Sequence, residues 1–454
     1  MTCTPQLSKR SQLAKNIPTP LIKGTTRFAQ NSYDPIENPS GIVSLGVAEN
    51  SLMHEDLSKR LSTLMTFKKK LLCYGTYYGS EELRKCVASL FNRNLHPTKP
   101  ISSKHLTIHN GAGPALDQLT FALCDPGDGI LITTPYYGGF DFDFVAKAQA
   151  RLIPVELQET SPFEMDHILK LEIAVNEARS KNIPVKVLCI CNPHNPLGEC
   201  YPVEVLEELL RFANRNGLHV ISDEIYALSA FNEVDQTPFV SVYSLPNLEA
   251  LIDPKLVHLV WSFSKDFCAN GLRVGVVLSP YNSELIEALQ SVALFTSIST
   301  TTDSLMCSLL KDEKWMDWFV AENKQRLLRS YQRLTSFCDQ HNIKFRPSSA
   351  GHFVWFDFRD EVQMLTTSDS KDAELLLWNA FITQGVYTAF GDAFHSEVSG
   401  YFRVTFALPW DMLQIGLNRM LSVLDSIRSS SKSQIVANPG LTETPLVASI
   451  VKSQ

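Results

Sequence analysis

Two apolar runs, Val185-Lys186-Val187-Leu188-Cys189-Ile190-Cys191 and Leu218-His219-Val220-Ile221-Ser222, with Pro202 to Asn216 between them, decide the fold class. Both runs are short, nearly continuous and β-branched, the pattern of strands buried on both faces. The intervening segment has Pro202 near its first turn, Val205, Leu206, Leu209, Leu210 and Phe212 at helical spacing, and Gly217 placed to end it. The order is therefore strand, helix, strand. Working outward, Ile130 to Thr134, Val257 to Ser262 and Val274 to Leu278 read as further buried strands separated by helical segments. Such alternation predicts an α/β three-layer sandwich with a mostly parallel central sheet.

After about residue 310 the pattern changes to long helices, Trp315 to His341, Lys371 to Gln384 and Met412 to Ile427, separated by Gly351-His352-Phe353-Val354-Trp355-Phe356 and Phe402-Arg403-Val404-Thr405-Phe406. A smaller α+β domain is expected over 311–427, following a large α/β domain over 41–310 whose first part packs with the small one. Residues 1–40 carry Pro18, Pro20, Pro35 and Pro39 without periodicity and are expected to form an arm wrapped over the surface. From Arg428 the serine-rich run and Pro439, Gly440 and Pro445 predict a disordered tail over 428–454.

A chain of 454 residues that is 44% hydrophobic has enough apolar sequence for two or three packed units, which excludes disordered and fibrous classes. Lys and Arg total 41 against 48 Asp and Glu, a net charge of −7, and the strongest basic run is only Lys68-Lys69-Lys70. No nucleic-acid partner is expected. The 10 cysteines include no CxxC pair, so neither a disulfide framework nor a metal site is expected. Met1 to Pro20 holds no apolar signal core, and no stretch reaches the ~20 apolar residues of a membrane span. A soluble cytoplasmic chain without a membrane partner is the expectation.

Sites in open α/β sheets lie beyond the carboxyl ends of the strands. Trp261-Ser262-Phe263-Ser264-Lys265 follows one predicted strand, and Arg273 precedes the next. A partly desolvated lysine offers a free amine for a Schiff base with an aldehyde, and two serines with an arginine suit a phosphate on the same ligand. Asp223 and Tyr226, in Asp223-Glu224-Ile225-Tyr226, stand where a carboxylate could hold a pyridine nitrogen protonated and a phenol could reach a ring oxygen. Asn195 lies in Asn192-Pro193-His194-Asn195-Pro196-Leu197-Gly198, whose Asn-Pro steps give an extended loop able to project its amide; His194 is expected to be solvated and without a role. Asn110-Gly111-Ala112-Gly113-Pro114 can bring backbone N–H groups and a helix dipole to a phosphate, although Pro114 donates none. Taken singly, each motif also suits a bland reading: a surface lysine, a capping Asp with a core Tyr, a plain turn.

Together the motifs resemble the class I/II aminotransferase family of fold-type I, pyridoxal-phosphate-dependent enzymes, in its 1-aminocyclopropane-1-carboxylate synthase-like branch. Ser-Phe-Ser-Lys with Arg273, Asp-Glu-Ile-Tyr, Asn-Pro-His-Asn-Pro-Leu-Gly, Thr-Pro-Tyr-Tyr and a late Phe-Arg-Val carry the likeness, which spans Ile42 to Leu424. It implies Lys265 as the lysine that forms the cofactor aldimine and later moves the Cα proton. Ser262, Ser264 and Arg273, with the backbone of Ala112 and Gly113, would hold the phosphate. Asp223 would pair with the pyridine nitrogen, Tyr226 and Asn195 would bind the ring oxygen, and Tyr137 would stack on the ring, with Tyr136 the other member of the doublet. Arg403 would fork onto the substrate α-carboxylate, a task for which lysine is poorly shaped.

The resemblance also sends Tyr77 to the cofactor phosphate of a neighbouring subunit, implying a homodimer with shared active sites. Gly46-Val47-Ala48-Glu49-Asn50 resembles a box of the synthase branch in which Glu49 would face the substrate; as a local feature Glu49 equally suits a capping residue. Phe267-Cys268-Ala269-Asn270, Pro114 and Gly138 depart from the plant synthase pattern. The arm Asn31 to Ile42 and Met53-His54 look more like fungal secondary-metabolite enzymes, some of them aminotransferases and some carbon-sulfur lyases acting on cysteine conjugates. The expected function is thus a pyridoxal-phosphate-dependent aminotransferase or carbon-sulfur lyase acting at Cα of a small-molecule amino-acid substrate. The alternatives are a synthase closing a cyclopropane on S-adenosylmethionine, and a cofactor-binding regulatory relative without turnover.

Overall fold

Strand β1 (Val43–Ser44) joins a small sheet near the C-terminal domain, and the strands of the main sheet follow it along the chain. They are β2 (Leu106–His109), β3 (Gly129–Thr133), β4 (Arg151–Val155), β5 (Val185–Cys191), β6 (His219–Asp223), β7 (Val257–Ser262) and β8 (Gly275–Leu278). The computed structural model describes residues 7–17, 20–158, 160–232, 236–365 and 369–437, with side chains as far as 430. The order in the seven-stranded sheet is β2-β8-β7-β6-β5-β3-β4. The pairs among β3, β4, β5, β6 and β7 are parallel, whereas β8 is antiparallel to both β7 and β2.

The predicted strand-helix-strand unit forms. Between β5 and β6 lies the helix Val203–Asn216, which buries Val205, Leu206, Leu209, Leu210, Phe212 and Ala213 and ends at Gly217 with φ 67°, a left-handed conformation that glycine adopts without steric cost. Burying each large apolar side chain contributes about 1.5–3 kcal/mol, so this face docks the helix firmly. Strand β7 is buried along its whole length, as its continuous apolar run requires. The sequence pattern did not reveal β2 or β4. The latter is an edge strand with Arg151 exposed and Pro154 tolerated.

The C-terminal part contains β9 (Lys344–Arg346), β10 (Phe353–Asp357), β11 (Val386–Tyr387), β12 (Ala389–Phe390) and β13 (Tyr401–Thr405). Four of these form an antiparallel sheet in the order β12-β13-β10-β9, while β11 pairs in parallel with β1. Ile42, Val43 and Leu45 accordingly share one core with Phe356, Phe402 and Leu413. Helix Glu313–Gln340 joins the two cores. Met316, Phe319 and Val320 pack in the large one and Leu327, Leu334 and Phe337 in the small one.

Both chain ends hold helices, and at the C-terminal end this corrects an expectation. The arm holds helices Lys9–Asn16 and Pro20–Gln30, of which only Gly24 is buried, so the chain there is helical without building a core of its own. The final helix, Trp410–Ala437, runs through Arg428, where a disordered tail was expected. Arg428 holds this turn against the body through Glu361 at 2.7 Å and the carbonyl oxygens of His341 and Asn342 at 3.2 and 3.3 Å. The remainder of the expected tail, 438–454, lies outside the described residues.

Candidate active site

Because β3, β5, β6 and β7 are parallel, their carboxyl ends meet at one edge of the sheet. There β3 delivers Tyr137, β5 delivers Asn195, β6 ends at Asp223, and β7 leads through Ser262 into the short helix Phe263–Asp266 that carries Lys265. The reversed β8 is what adds Arg273. Its start, not its end, lies at this edge, with Gly275 opposite Ser262 on one side and His109 on the other. The turn after β2 then brings the N-terminus of helix Ala112–Leu123 alongside.

A cleft of about 410 Å³ results, lined by Ala112, Gly113, Tyr137, Asn195, Asp223, Tyr226, Ser264, Lys265, Arg273 and Arg403 among others. These residues come from widely separated stretches of chain. Lys265 Nζ donates to the Ala48 carbonyl at 2.6 Å. Burial and the nearby Arg403 lower its pKa to about 8, with Arg273 adding to the shift and Glu49 and Asp223 opposing it. Asp223 is pushed up to about 7 by burial, against the pull of the Ile225 N–H at 3.2 Å and of Lys265. Tyr226 is fully buried, and burial drives its phenol well above the usual range, with Arg403 opposing.

Arg403, in β13, is buried between Phe353 and Phe394, its guanidinium carbon 4.7 Å from each ring centroid. It donates to Asn195 Oδ1 and to the Gly46 carbonyl, both at 2.8 Å, and its Nε is buried without a partner. Arg273 donates to the Asn270 carbonyl at 2.8 Å and to Ser264 Oγ at 3.4 Å. The partners of all three cations are thus neutral oxygens, which leaves their charge available to an anionic ligand. Gly111 has φ 121°, and a Cβ there would collide with the Arg273 guanidinium. The first N–H groups of the following helix have no intrahelical acceptors, so guanidinium, hydroxyl and backbone donors converge as a cradle for a phosphate.

Not every expected residue lines the cleft. Ser262 is wholly buried, donating to the Val274 carbonyl at 2.8 Å and accepting from the Ser264 N–H at 3.1 Å, so it positions Ser264 where a direct phosphate contact was expected. Glu49 is exposed at the rim, accepting from Asn270 Nδ2 at 3.2 Å, and it does not cap the next helix, whose N-cap is Met53. Tyr77 lies outside the cleft and is 40% exposed. Within the doublet it is Tyr137 that faces the cleft. Tyr136 is buried elsewhere, donating to Asp141 at 2.8 Å and stacked on His395. His194 is 2% exposed, where solvation was expected; Phe163 and Tyr201 surround it, and burial lowers its pKa to about 3.

Several lining residues escaped sequence reasoning. Asp143, beside Gly113, is raised to about 7 by burial and by the charges of Asp223 and Asp117; its place on the same strand-end segment as Tyr137 was the available signal. Leu21 and Thr25 come from the arm, where Leu21 and Phe28, one heptad apart, hinted at an amphipathic helix. Tyr387 carried no signal at all.

The family model for aminotransferase class I and II matches residues 41–420. The chain is 33% identical over 445 residues to 1-aminocyclopropane-1-carboxylate synthase-like protein 1 of Homo sapiens, covering 96% of this chain and 86% of that protein. It is also 33% identical over 407 residues to the probable aminotransferase sirI of Leptosphaeria maculans, covering 88% of this chain and 95% of that protein. Aspartate aminotransferase of Thermus thermophilus shares the fold with a TM-score of 0.73 at 23% identity, over 92% of this chain and all of that one. With the motifs assembled in one cleft and the family match spanning most of the chain, this protein belongs to the class I and II aminotransferases and is a pyridoxal-phosphate-dependent, aminotransferase-like enzyme.

Proposed function

We propose that the protein acts at Cα of an α-amino acid in fungal secondary-metabolite biosynthesis, as an aminotransferase or a carbon-sulfur lyase. One observation carries this reading: Lys265, Arg273 and Arg403, all on neutral partners, face one cleft with Asp223. The residues fit pyridoxal phosphate. The missing side chain of Gly111 lets the Arg273 guanidinium lie beside the helix N-terminus, where these donors suit the phosphate, and the unpaired Nε of Arg403 suits a carboxylate.

When bound, the cofactor supplies an aldehyde for an amine and a ring that withdraws electrons from the substrate Cα. Arg273, Ser264 and the N–H groups of Ala112 and Gly113 bind its phosphate. Asp223 holds a proton at the pyridine nitrogen, which stabilises the carboxylate that burial otherwise penalises. Tyr226 and Asn195 bind the ring oxygen, and Tyr137 orients the ring. Arg403 binds the α-carboxylate, and the Lys265 amine, whose pKa lowered to about 8 leaves a share of it free near neutral pH, takes the Cα proton and returns it. With that proton placed on a carbon other than Cα and water releasing a keto acid, the outcome would be amino transfer, whereas loss of a β or γ sulfur substituent as a thiol would give elimination.

The active unit in this reading is a homodimer. Tyr77 lies outside its own cleft, its ring 6.5 Å from that of Tyr74, which is 94% exposed, in a surface stretch that also exposes Phe67 and Leu72. Thr300 donates to the Leu71 carbonyl at 2.7 Å, which sets this stretch beside the segment of Phe295, itself 76% exposed. A second copy covering that face would bring Tyr77 to its cofactor phosphate. Among the described residues no helix is long and apolar enough to cross a membrane, and the buried free thiols of Cys189 and Cys338 suit the reducing cytoplasm we assign it.

The deciding experiment incubates cofactor-loaded protein with an S-substituted cysteine and no keto acid, following cofactor absorbance and ammonia. A single conversion of the cofactor without ammonia identifies an aminotransferase. Ammonia and keto acid accumulating over many turnovers identify a lyase. Protein that takes up no cofactor under any condition would refute both.

A further inference from the structure

The helix Pro20–Gln30 reaches the cleft through contacts that leave little room for change. Leu21 and Thr25 both line it. Leu21 Cδ1 stands 3.7 Å from the position a Cβ on Gly138 would occupy, and that same Cβ would collide with the Ala393 carbonyl. Gly138 directly follows Tyr137, so Leu21 stands beside the residue that orients the cofactor, while the missing side chain of Gly138 admits the Ala393 carbonyl. One turn on, Gly24 is the helix's buried residue because it lies against the Tyr387 ring, and a Cβ on Gly46, on the ring's other edge, would stand 2.7 Å from it. The Tyr387 hydroxyl donates to the Leu21 carbonyl at 3.3 Å, and the Thr25 hydroxyl donates to that same oxygen at 2.8 Å.

This arrangement is continuous with the carboxylate site. Arg403 donates to the Gly46 carbonyl at 2.8 Å, Gly46 abuts Tyr387, and Tyr387 abuts Gly24. A substrate held by Arg403 therefore meets Tyr387, Leu21 and Thr25 with whatever projects from its Cα. Among the described residues the charges that line the cleft are Lys265, Asp223, Asp143, Arg273 and Arg403. The reading above uses all but Asp143, a further carboxylate that lies against Gly113. Among the described lining residues no cation remains for a second carboxylate. The helix's own cations, Lys23 and Arg27, line a separate surface groove, with Arg27 5.1 Å over Trp378 and 2.8 Å from Asn379 Oδ1.

We propose that Leu21 and Thr25 are specificity-determining residues, that the arm helix is the wall meeting the substrate side chain, and that the site selects α-amino acids with a neutral, predominantly apolar side chain, thioethers included, over dicarboxylic ones. The inference rests on the functional reading above. Its argument is that a hydrophobic wall to which this chain brings no counter-ion strands a buried carboxylate, whereas it desolvates an alkyl or thioether chain at a gain.

The test titrates cofactor-loaded protein with methionine, leucine, aspartate and glutamate, reading the change in cofactor absorption on binding and, separately, kcat/KM. Methionine and leucine are expected to bind at least about tenfold tighter than the dicarboxylates, and Leu21→Ala to weaken methionine by about tenfold with cofactor retention unchanged. Leu21→Arg should reverse the order in favour of glutamate. Equal binding of all four amino acids, or a Leu21→Ala protein with unaltered methionine affinity, would overturn the proposal while leaving the cofactor chemistry standing. A wild-type protein with no cofactor band fails the functional reading, and the proposal falls with it.

Discussion

Arg403 in β13 and Asn195 in the loop after β5 are joined by a 2.8 Å hydrogen bond between the guanidinium and the amide oxygen. This contact ties the small sheet to the carboxyl edge of the large one. It also consumes part of the Arg403 fork while leaving Nε buried and unpaired, so the substrate carboxylate proposed to bind there would supply a partner that the site lacks without it. Arg403→Lys retains the charge and loses the planar fork. It should raise the KM for the amino acid by about 10–100-fold, the range for a lost charge-assisted bond, with cofactor affinity little changed. Equal KM values in steady-state assays would remove Arg403 from substrate binding.

Lys265 is protonated below its pKa of about 8, and only the free amine attacks an aldehyde. Cofactor uptake by the apo protein should therefore accelerate about tenfold per pH unit below that value and level off above it, as followed by stopped-flow absorbance. Lys265→Ala should hold the cofactor only non-covalently and lose about 10²-fold or more of turnover.

Asp223 and Asp143 each have a folded pKa raised to about 7 by burial, against 3.8 for a free aspartate. The folded state then binds more protons than the unfolded one between those values. Stability of the cofactor-free protein is full below about pH 4 on this account and falls as pH rises toward 7, by about 1.4 kcal/mol per unit for each such group. Thermal unfolding of the apo protein should show a Tm declining over that interval, and Asp223→Asn should flatten the decline. Cofactor should restore more stability to the wild type than to Asp223→Asn, because only the carboxylate pairs with a charged pyridine.

Gly111→Ala places a side chain against Arg273 on backbone with φ 121°. The strain costs about 1–3 kcal/mol, and displacement of Arg273 should weaken cofactor affinity as well. Gly217→Ala, at φ 67° with open space around it, should lose stability alone. Denaturation together with cofactor titration separates the two effects.

Tyr77→Ala, altered outside its own cleft, should weaken cofactor retention about tenfold or more, as loss of a bond to a charged phosphate does. Mixed with Lys265→Ala protein it should regain activity through hybrid dimers holding one intact site. Sedimentation of a fully active monomer would dispose of shared sites.

Much of this architecture was legible in the sequence because strands buried on both faces leave a local trace. The limits of β5 and β7 coincide with their apolar runs, and Gly217 marks the end of a helix by its own chemistry. Lys265, Asp223 and Asn195 were legible too, since each follows such a strand and the chain's direction puts strand ends at one edge. The tertiary structure decided what depends on which surfaces meet. The reversal of β8 places Arg273, burial turns His194 inward and Ser262 away from the cleft, and packing on Tyr387 draws the arm helix Pro20–Gln30 to the site. Composition and periodicity report a residue's own preference for water or apolar surroundings. They carry no record of the distant partner, such as Gly46 for Tyr387 or Asn195 for Arg403, that fixes where a side chain finally points.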